Sequence, residues 1–129
     1  MVERPAPVHT VDAPAAIGPY SQAMVHGRYV FASGQLGLDP VTGELTASTA
    51  GAQAARALAN LQGVLTAAGS SLAGLLKTTI FLTDMDAFAE VNAAYEAALG
   101  THRPARSTVA VVALPKGALV EIEGIAVRD

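Results

Sequence analysis

Arg106 and Glu121 are the residues whose type and setting best suit chemistry. Arg106 follows Pro104-Ala105 and opens a run of small and β-branched residues. A guanidinium there can grip a carboxylate through two parallel hydrogen bonds, a geometry that lysine lacks. A solvent-facing arginine at a strand end fits the same spacing. Glu121 lies in the alternating run 120–127. Val120, Ile122, Gly124 and Ala126 share one face there, and Glu121, Glu123, Ile125 and Val127 share the other. Two carboxylates thus begin a face that continues apolar. One reading is an edge strand guarded by charge. The other is a carboxylate at the mouth of a cleft, where partial desolvation raises its pKa toward a useful general-base value.

Other familiar chemistries lack their residues. His9, His26 and His102 fall in an arm, a turn and a loop, with no second histidine or carboxylate at helical ligand spacing. No metal site is expected, and the histidines read as solvated. Ser21, Ser33 and Ser107 lie outside any Gly-x-Ser-x-Gly elbow. Gly34-Gln35-Leu36-Gly37 is not followed by the Gly-Lys-Ser/Thr of a phosphate loop. The absence of cysteine excludes disulfides and thiol nucleophiles. The net charge is −3, Lys77 and Lys116 are the only lysines, and the arginines are scattered, which argues against a nucleic-acid surface. No run of about 20 apolar residues suggests a membrane span. Residues 1–5 lack the pattern of a secretory leader, and a cytoplasmic protein is expected.

The elements that must position these residues follow from periodicity. Residues 1–16, with Pro5, Pro7 and Pro14, read as an extended arm of a single domain spanning 1–129. Met24–Val25 and Arg28–Ser33 read as strands joined at His26-Gly27, and residues 39–43 as a loop. Leu58, Leu61, Leu65 and Ala68 recur at helical spacing, with Ser48 or Thr49 as N-cap and Gly69 as the stop. Residues 77–83 form a β-branched strand. A second helix follows Asp84 or Asp86, with Phe88, Val91 and Tyr95 in its apolar stripe and Gly100 at its end. Strands 106–112 and 120–127 close the chain. The order β-β-α-β-α-β-β predicts a two-layer α+β domain. With 51% hydrophobic and only 15% charged residues, part of the apolar surface is expected to be buried against other copies of the chain.

If the last two strands pair as a hairpin with Val112 opposite Val120, Arg106 and Glu121 lie about five residues apart along the ladder, roughly 17 Å. A site that uses both would then lie between subunits.

These residues also sit in a recognisable frame. The stretches 15–23 (AAIGPYSQA), 31–37 (FASGQLG) and 76–85 (LKTTIFLTDM) are followed by Phe88, Val91-Asn92 and Tyr95. Arg103-Pro-Ala-Arg-Ser107, Leu114-Pro-Lys116 and Val120-Glu-Ile-Glu123 complete the series. In this order and spacing the chain resembles the RidA/YjgF/UK114 family of small reactive-intermediate deaminases. The resemblance implies a chorismate-mutase-like fold, a homotrimer with a central β-barrel, and clefts between neighbouring subunits. The implied activity is hydrolysis of 2-imino acids, such as 2-iminobutyrate and 2-iminopropionate, or of their enamine tautomers. The products would be 2-oxo acids and ammonia, formed without metal or cofactor.

Position by position, the resemblance assigns Arg106 to the substrate carboxylate and Glu121 to the water. Tyr20, Ser33, Gly34 and Asn92 match positions of the cleft, and Thr108 stands where related bacterial proteins often carry cysteine. Ala98-Leu99-Gly100 lacks the phenylalanines common after the tyrosine. A non-catalytic sensor of 2-oxo acids would use the same arginine clamp.

Overall fold

The structure is a computed structural model that describes residues 3–129. Met1 and Val2, the start of the expected arm and of the segment in which no leader pattern is expected, lie outside the described residues. The chain runs β1 (Ala6–Val8), β2 (Ala23–His26), β3 (Tyr29–Leu36), α1 (Ala50–Ala67), β4 (Leu75–Leu82), α2 (Phe88–Leu99), β5 (Ala105–Ala110) and β6 (Val120–Val127). This is the expected α+β order with one addition, the short strand β1 within the arm. β1 pairs antiparallel with β2.

Helix α1 starts where Thr49 caps it, its hydroxyl accepting from the Ala52 N–H. Its buried side includes Ala54, Ala57, Leu58, Leu61, Val64 and Leu65, the stripe that the period of 3.6 implies. Helix α2 follows a turn in which the Asp84 carboxylate accepts from the Asp86 N–H. Gly100, at φ 62°, ends it in the left-handed region that favours glycine.

The six strands form one sheet in the order β1-β2-β3-β6-β4-β5. The expected hairpin between the last two strands is therefore not formed. β6 lies between β3 and β4, antiparallel to both, and β5 runs parallel to β4 at the edge. The reason lies in the residues. β6 has apolar residues along both faces and takes a central position, with Val120, Ile122 and Ala126 fully buried. β5 carries Arg106, Ser107 and Thr108, buries no residue fully and suits an edge. Helix α2 supplies the crossover that a parallel β4–β5 pair requires. β5 ends at Ala110 rather than Val112, whose side chain stands clear of the fold.

The helices cover one face of the sheet. On the opposite face the ladder aligns Tyr29 with Val127 and Phe31 with Ile125, and Val109 lies beside Phe81. Tyr29, Phe31 and Val109 are 51%, 48% and 42% exposed, so this face presents aromatic and aliphatic side chains rather than charge. Among the described residues, no helix is long and apolar enough to cross a membrane.

Polar side chains of α1 fasten the loops beyond β3. Asn60 is fully buried; its amide donates to the Leu36 and Leu38 carbonyls at 3.0 and 2.9 Å, and its oxygen accepts from Arg56. Gln53 donates to the Ala47 carbonyl and accepts from the Leu119 N–H. Gly37 permits the close approach, because a Cβ there would meet the Gln53 carbonyl at 2.7 Å. Asn60→Ala leaves two inward carbonyls without a donor. It should lower unfolding free energy by about 2–3 kcal/mol in a chemical-denaturation titration.

Candidate active site

Two cavities contain the residues singled out by sequence, Thr108 excepted. The larger, about 620 Å³, is lined by Tyr20, Ser33, Gly34 and Glu121 together with apolar residues that include Ile17 and Leu36. Its size falls within the range of small-molecule sites, roughly 300–1,000 Å³. The smaller, about 300 Å³, is lined by Asn92, Tyr95, Glu96, Arg103, Pro104 and Arg106.

The larger cavity forms where the β3–β6 ladder breaks step between Ala32 and Gln35. The irregularity frees Ser33 and Gly34 from regular pairing, a common device for aiming backbone into a site. Ser33 is fixed twice: its N–H donates to the Gln22 carbonyl, and its hydroxyl donates to the Ser21 carbonyl at 2.6 Å. Gly34 leaves room for Glu121, whose carboxyl carbon would lie 2.7 Å from a Cβ at position 34. Among the described residues, the Glu121 carboxylate has no hydrogen-bond or ion-pair partner. Burial raises its pKa above the ordinary carboxylate value, and the like charge of Glu123 raises it further. Buried Gln22 fastens the Pro14 side of the same cavity, accepting from the Thr10 N–H and donating to the Thr10 and Pro14 carbonyls.

Asn92 and Tyr95 of the smaller cavity share one face of α2 with Phe88, as residues three and four apart do. The Arg106 guanidinium lies over two of their rings, 5.0 Å from the Tyr95 centroid and 5.6 Å from that of Phe88. Such stacking orients the cation without consuming its N–H donors. Tyr95 is held by a 2.6 Å hydrogen bond with the Thr78 hydroxyl. Helical spacing reads Phe88 and Tyr95 as an apolar stripe; that they also form a platform for a cation emerges only with the position of Arg106.

The two arginines of this cavity differ. Arg103 bonds the Gly100 and His102 carbonyls and pairs with Glu96 at 3.5 Å. Arg106 has no hydrogen-bond or ion-pair partner among the described residues. The Thr108 hydroxyl, on the same side of β5, is buried without a partner, although Thr108 does not line the cavity.

The candidate residues are thus divided: Tyr20, Ser33, Gly34 and Glu121 in one cavity, Asn92 and Arg106 in the other. Arg106 is level with Thr78, which is buried beneath the helices, and shares its side of the sheet. Glu121 points to the opposite side, level with Phe81. The offset is roughly 10 Å along the strands and roughly 10 Å across them. This replaces the five-residue separation expected from a hairpin, and it adds the division between faces. A single protomer cannot present both groups to one small molecule.

His9 and His26 are exposed, as expected, and His26 contacts the Glu3 carbonyl at 3.2 Å. His102 differs: it is half-buried and bonded to the Leu75 carbonyl at 2.8 Å. Among the described residues, no three His, Cys, Asp or Glu side chains form a metal-binding group.

Comparison with known proteins places this arrangement in a family. The family model described as endoribonuclease L-PSP matches residues 10–128. The chain is 47% identical over 124 residues to the 2-iminobutanoate/2-iminopropanoate deaminase of Escherichia coli, covering 94% of this chain and 96% of that protein. It is 50% identical over 119 residues to the RutC family protein y4sK of Sinorhizobium fredii, covering 92% and 94%. Among solved structures, Escherichia coli TdcF with bound serine superposes with a TM-score of 0.91 at 42% identity, covering 96% of this chain and 99% of that one. With matches that run nearly end to end, the chain belongs to the RidA/YjgF (endoribonuclease L-PSP) family.

Proposed function

We propose that this protein hydrolyses 2-imino acids of the 2-iminobutyrate and 2-iminopropionate type to 2-oxo acids and ammonia. It would do so in clefts between neighbouring copies of a homotrimer. The observation that carries this reading is the unpaired Arg106 guanidinium on one side of the sheet and the unpaired Glu121 carboxylate on the other. A copy placed against the edge strand would bring the Arg106 of one chain to the Glu121 cavity of the next. Relatives named as imine deaminases and a related structure that holds serine support a small substrate with a carboxylate.

The chemistry follows from the groups. Arg106 takes the substrate carboxylate in a two-pronged hydrogen bond, and Asn92, Tyr20 and the backbone at Ser33-Gly34 surround the rest. In a protonated imine, C2 is electrophilic. Glu121 accepts a proton from water as the oxygen adds to C2, giving a carbinolamine. It then returns that proton to the amino nitrogen. The C–N bond breaks as C=O forms, the hydroxyl proton passes to Glu121 or solvent, and ammonia departs. A base with a raised pKa suits both directions of transfer. The scarcity of cations and the presence of Glu96 and Glu121 at the two cavities disfavour a polyanionic substrate.

Arg106→Ala should lower kcat/KM for freshly generated 2-iminobutyrate by at least about 100-fold, and Arg106→Lys should recover only part of it. Loss of turnover with the far-ultraviolet spectrum and assembly preserved is the expected pattern. Affinity for 2-oxo acids without any imine hydrolysis by the unaltered protein would instead identify a ligand sensor.

Gly34→Ala forces the Glu121 carboxylate aside and should reduce kcat by about 10- to 100-fold, because an ångström of misplacement is enough. Glu123→Gln removes the neighbouring negative charge and so lowers the Glu121 pKa. The acid limb of the pH profile of kcat/KM should therefore move to lower pH, as measured by ammonia release across a buffer series.

A further inference from the structure

Lys116 stands apart from every other residue in the fold. It is the only non-glycine described with a positive φ, at φ 59° and ψ 20°. A side chain in this left-handed region costs of order 1 kcal/mol, and such residues persist where the surroundings hold them. Here the ammonium donates to the Gly43 carbonyl at 2.8 Å, joining the turn before β6 to the loop 39–43. Both ends of that bond line the cavity of Glu121.

The loop it grasps is otherwise self-contained. The Asp39 carboxylate accepts from the Val41 and Thr42 N–H groups, and those bonds hold its pKa below the usual value. Pro40 and Val41 line the cavity, and Val41 is 93% exposed. The bridge between Leu38 and Leu45 closes the loop at its base, and among the described residues the Lys116 bond is the hydrogen bond that ties residues 39–43 to the opposite wall. A three-carbon imino acid at Glu121 would fill a small part of a 620 Å³ cavity. A longer aliphatic side chain would reach the Pro40-Val41 wall.

We infer that Lys116 is a positioning residue that clamps the Pro40–Gly43 wall, and that this clamp favours substrates with bulky apolar side chains over small ones. The inference rests on the proposed imine-hydrolysing site, but it is tested by binding as well as by turnover. Among the described residues, Lys116 makes no hydrogen bond or ion pair with Glu121; its ammonium bonds the Gly43 carbonyl. Its loss should therefore act on the affinity for long side chains rather than on the chemical step.

The experiment compares Lys116→Asn and Lys116→Arg with the unaltered protein. Asparagine tolerates the left-handed backbone but cannot reach Gly43, whereas arginine retains a donor long enough to bridge. The substrates are the imines derived from leucine and from alanine, and the ligands are the corresponding stable 2-oxo acids, titrated by calorimetry.

For Lys116→Asn, KM for the leucine imine and Kd for 4-methyl-2-oxopentanoate should rise by about fivefold, the worth of a partly exposed charged hydrogen bond. Values for the alanine imine and pyruvate should stay within about twofold, and kcat for either imine should not move. Lys116→Arg should restore the preference. Equal losses for the two side chains, an unchanged leucine-derived ligand, or no binding of either oxo acid to the unaltered protein would overturn the inference. Selective loss of oxo-acid affinity in a protein that turns over no imine would sustain the clamp and refute the proposed reaction.

Discussion

Alternation of side chains across a β-sheet is the constraint on which the site depends. β4 separates β5 from β6, and the ladder places Arg106 level with Thr78 and Glu121 level with Phe81. Three rungs differ by an odd number, so the two side chains leave on opposite faces. No rotamer change in either residue can reverse that. A reaction needing both a carboxylate clamp and a base must recruit them from two chains, or use only one. Under the proposed function, quaternary structure is therefore a chemical requirement and not only a source of stability.

The two groups are prepared in different ways. Arg106 is oriented by aromatic rings, and the Tyr95–Thr78 hydrogen bond holds one ring against the buried side of β4. Its donors remain free because the contact is made through the face of the guanidinium. Glu121 is tuned by what it lacks. It is half-buried and accepts no hydrogen bond among the described residues, and a second carboxylate two residues away opposes its ionisation. Gly34 preserves that state by withholding a side chain where the carboxylate lies. The remainder of the cavity is held by satisfied polar residues, with Asn60, Gln53 and Gln22 each bonding main-chain groups of the surrounding loops.

Much of this was legible in the sequence, and the portions that were not share a cause. Helices α1 and α2, the alternation in β6 and the turn glycines at 27, 69 and 100 are local, set by periodicity and by backbone freedom. The partner of β5 is not local. A turn centred on Pro115-Lys116-Gly117 suggests a hairpin, yet β6 inserts between β3 and β4, where Val120, Ile122 and Ala126 are buried beneath the helices. Strand β1 escaped notice because three residues in a proline-rich arm carry too little pattern. Ser33, Gly34 and Glu121 were identifiable as candidates. The ladder irregularity that joins them depends on a strand some 90 residues further along the chain, since Ala32 pairs with Gly124 and Gln35 with Ile122, and has no local signature. Phe88 and Tyr95 were read correctly as apolar, but amphipathic spacing cannot distinguish a core contact from a platform for a cation.

The pattern of satisfied and unsatisfied groups separates folding from function within one small chain. Arg103, Ser33, Asn60 and Gln22 have their hydrogen bonds completed inside the protomer. Arg106 and Glu121 do not, and the Thr108 hydroxyl near Arg106 is buried without a partner. Buried or half-buried polar groups left in that state cost free energy unless something completes them. A neighbouring chain or a bound carboxylate would do so for Arg106. Water positioned for attack would do so for Glu121. The outer face of the sheet, with Tyr29, Phe31 and Val109 exposed, supplies the apolar area for a second chain to cover. The same contact that removes this surface from water would then bring each cavity the group it lacks, so that assembly and the pairing of charge with substrate become one event.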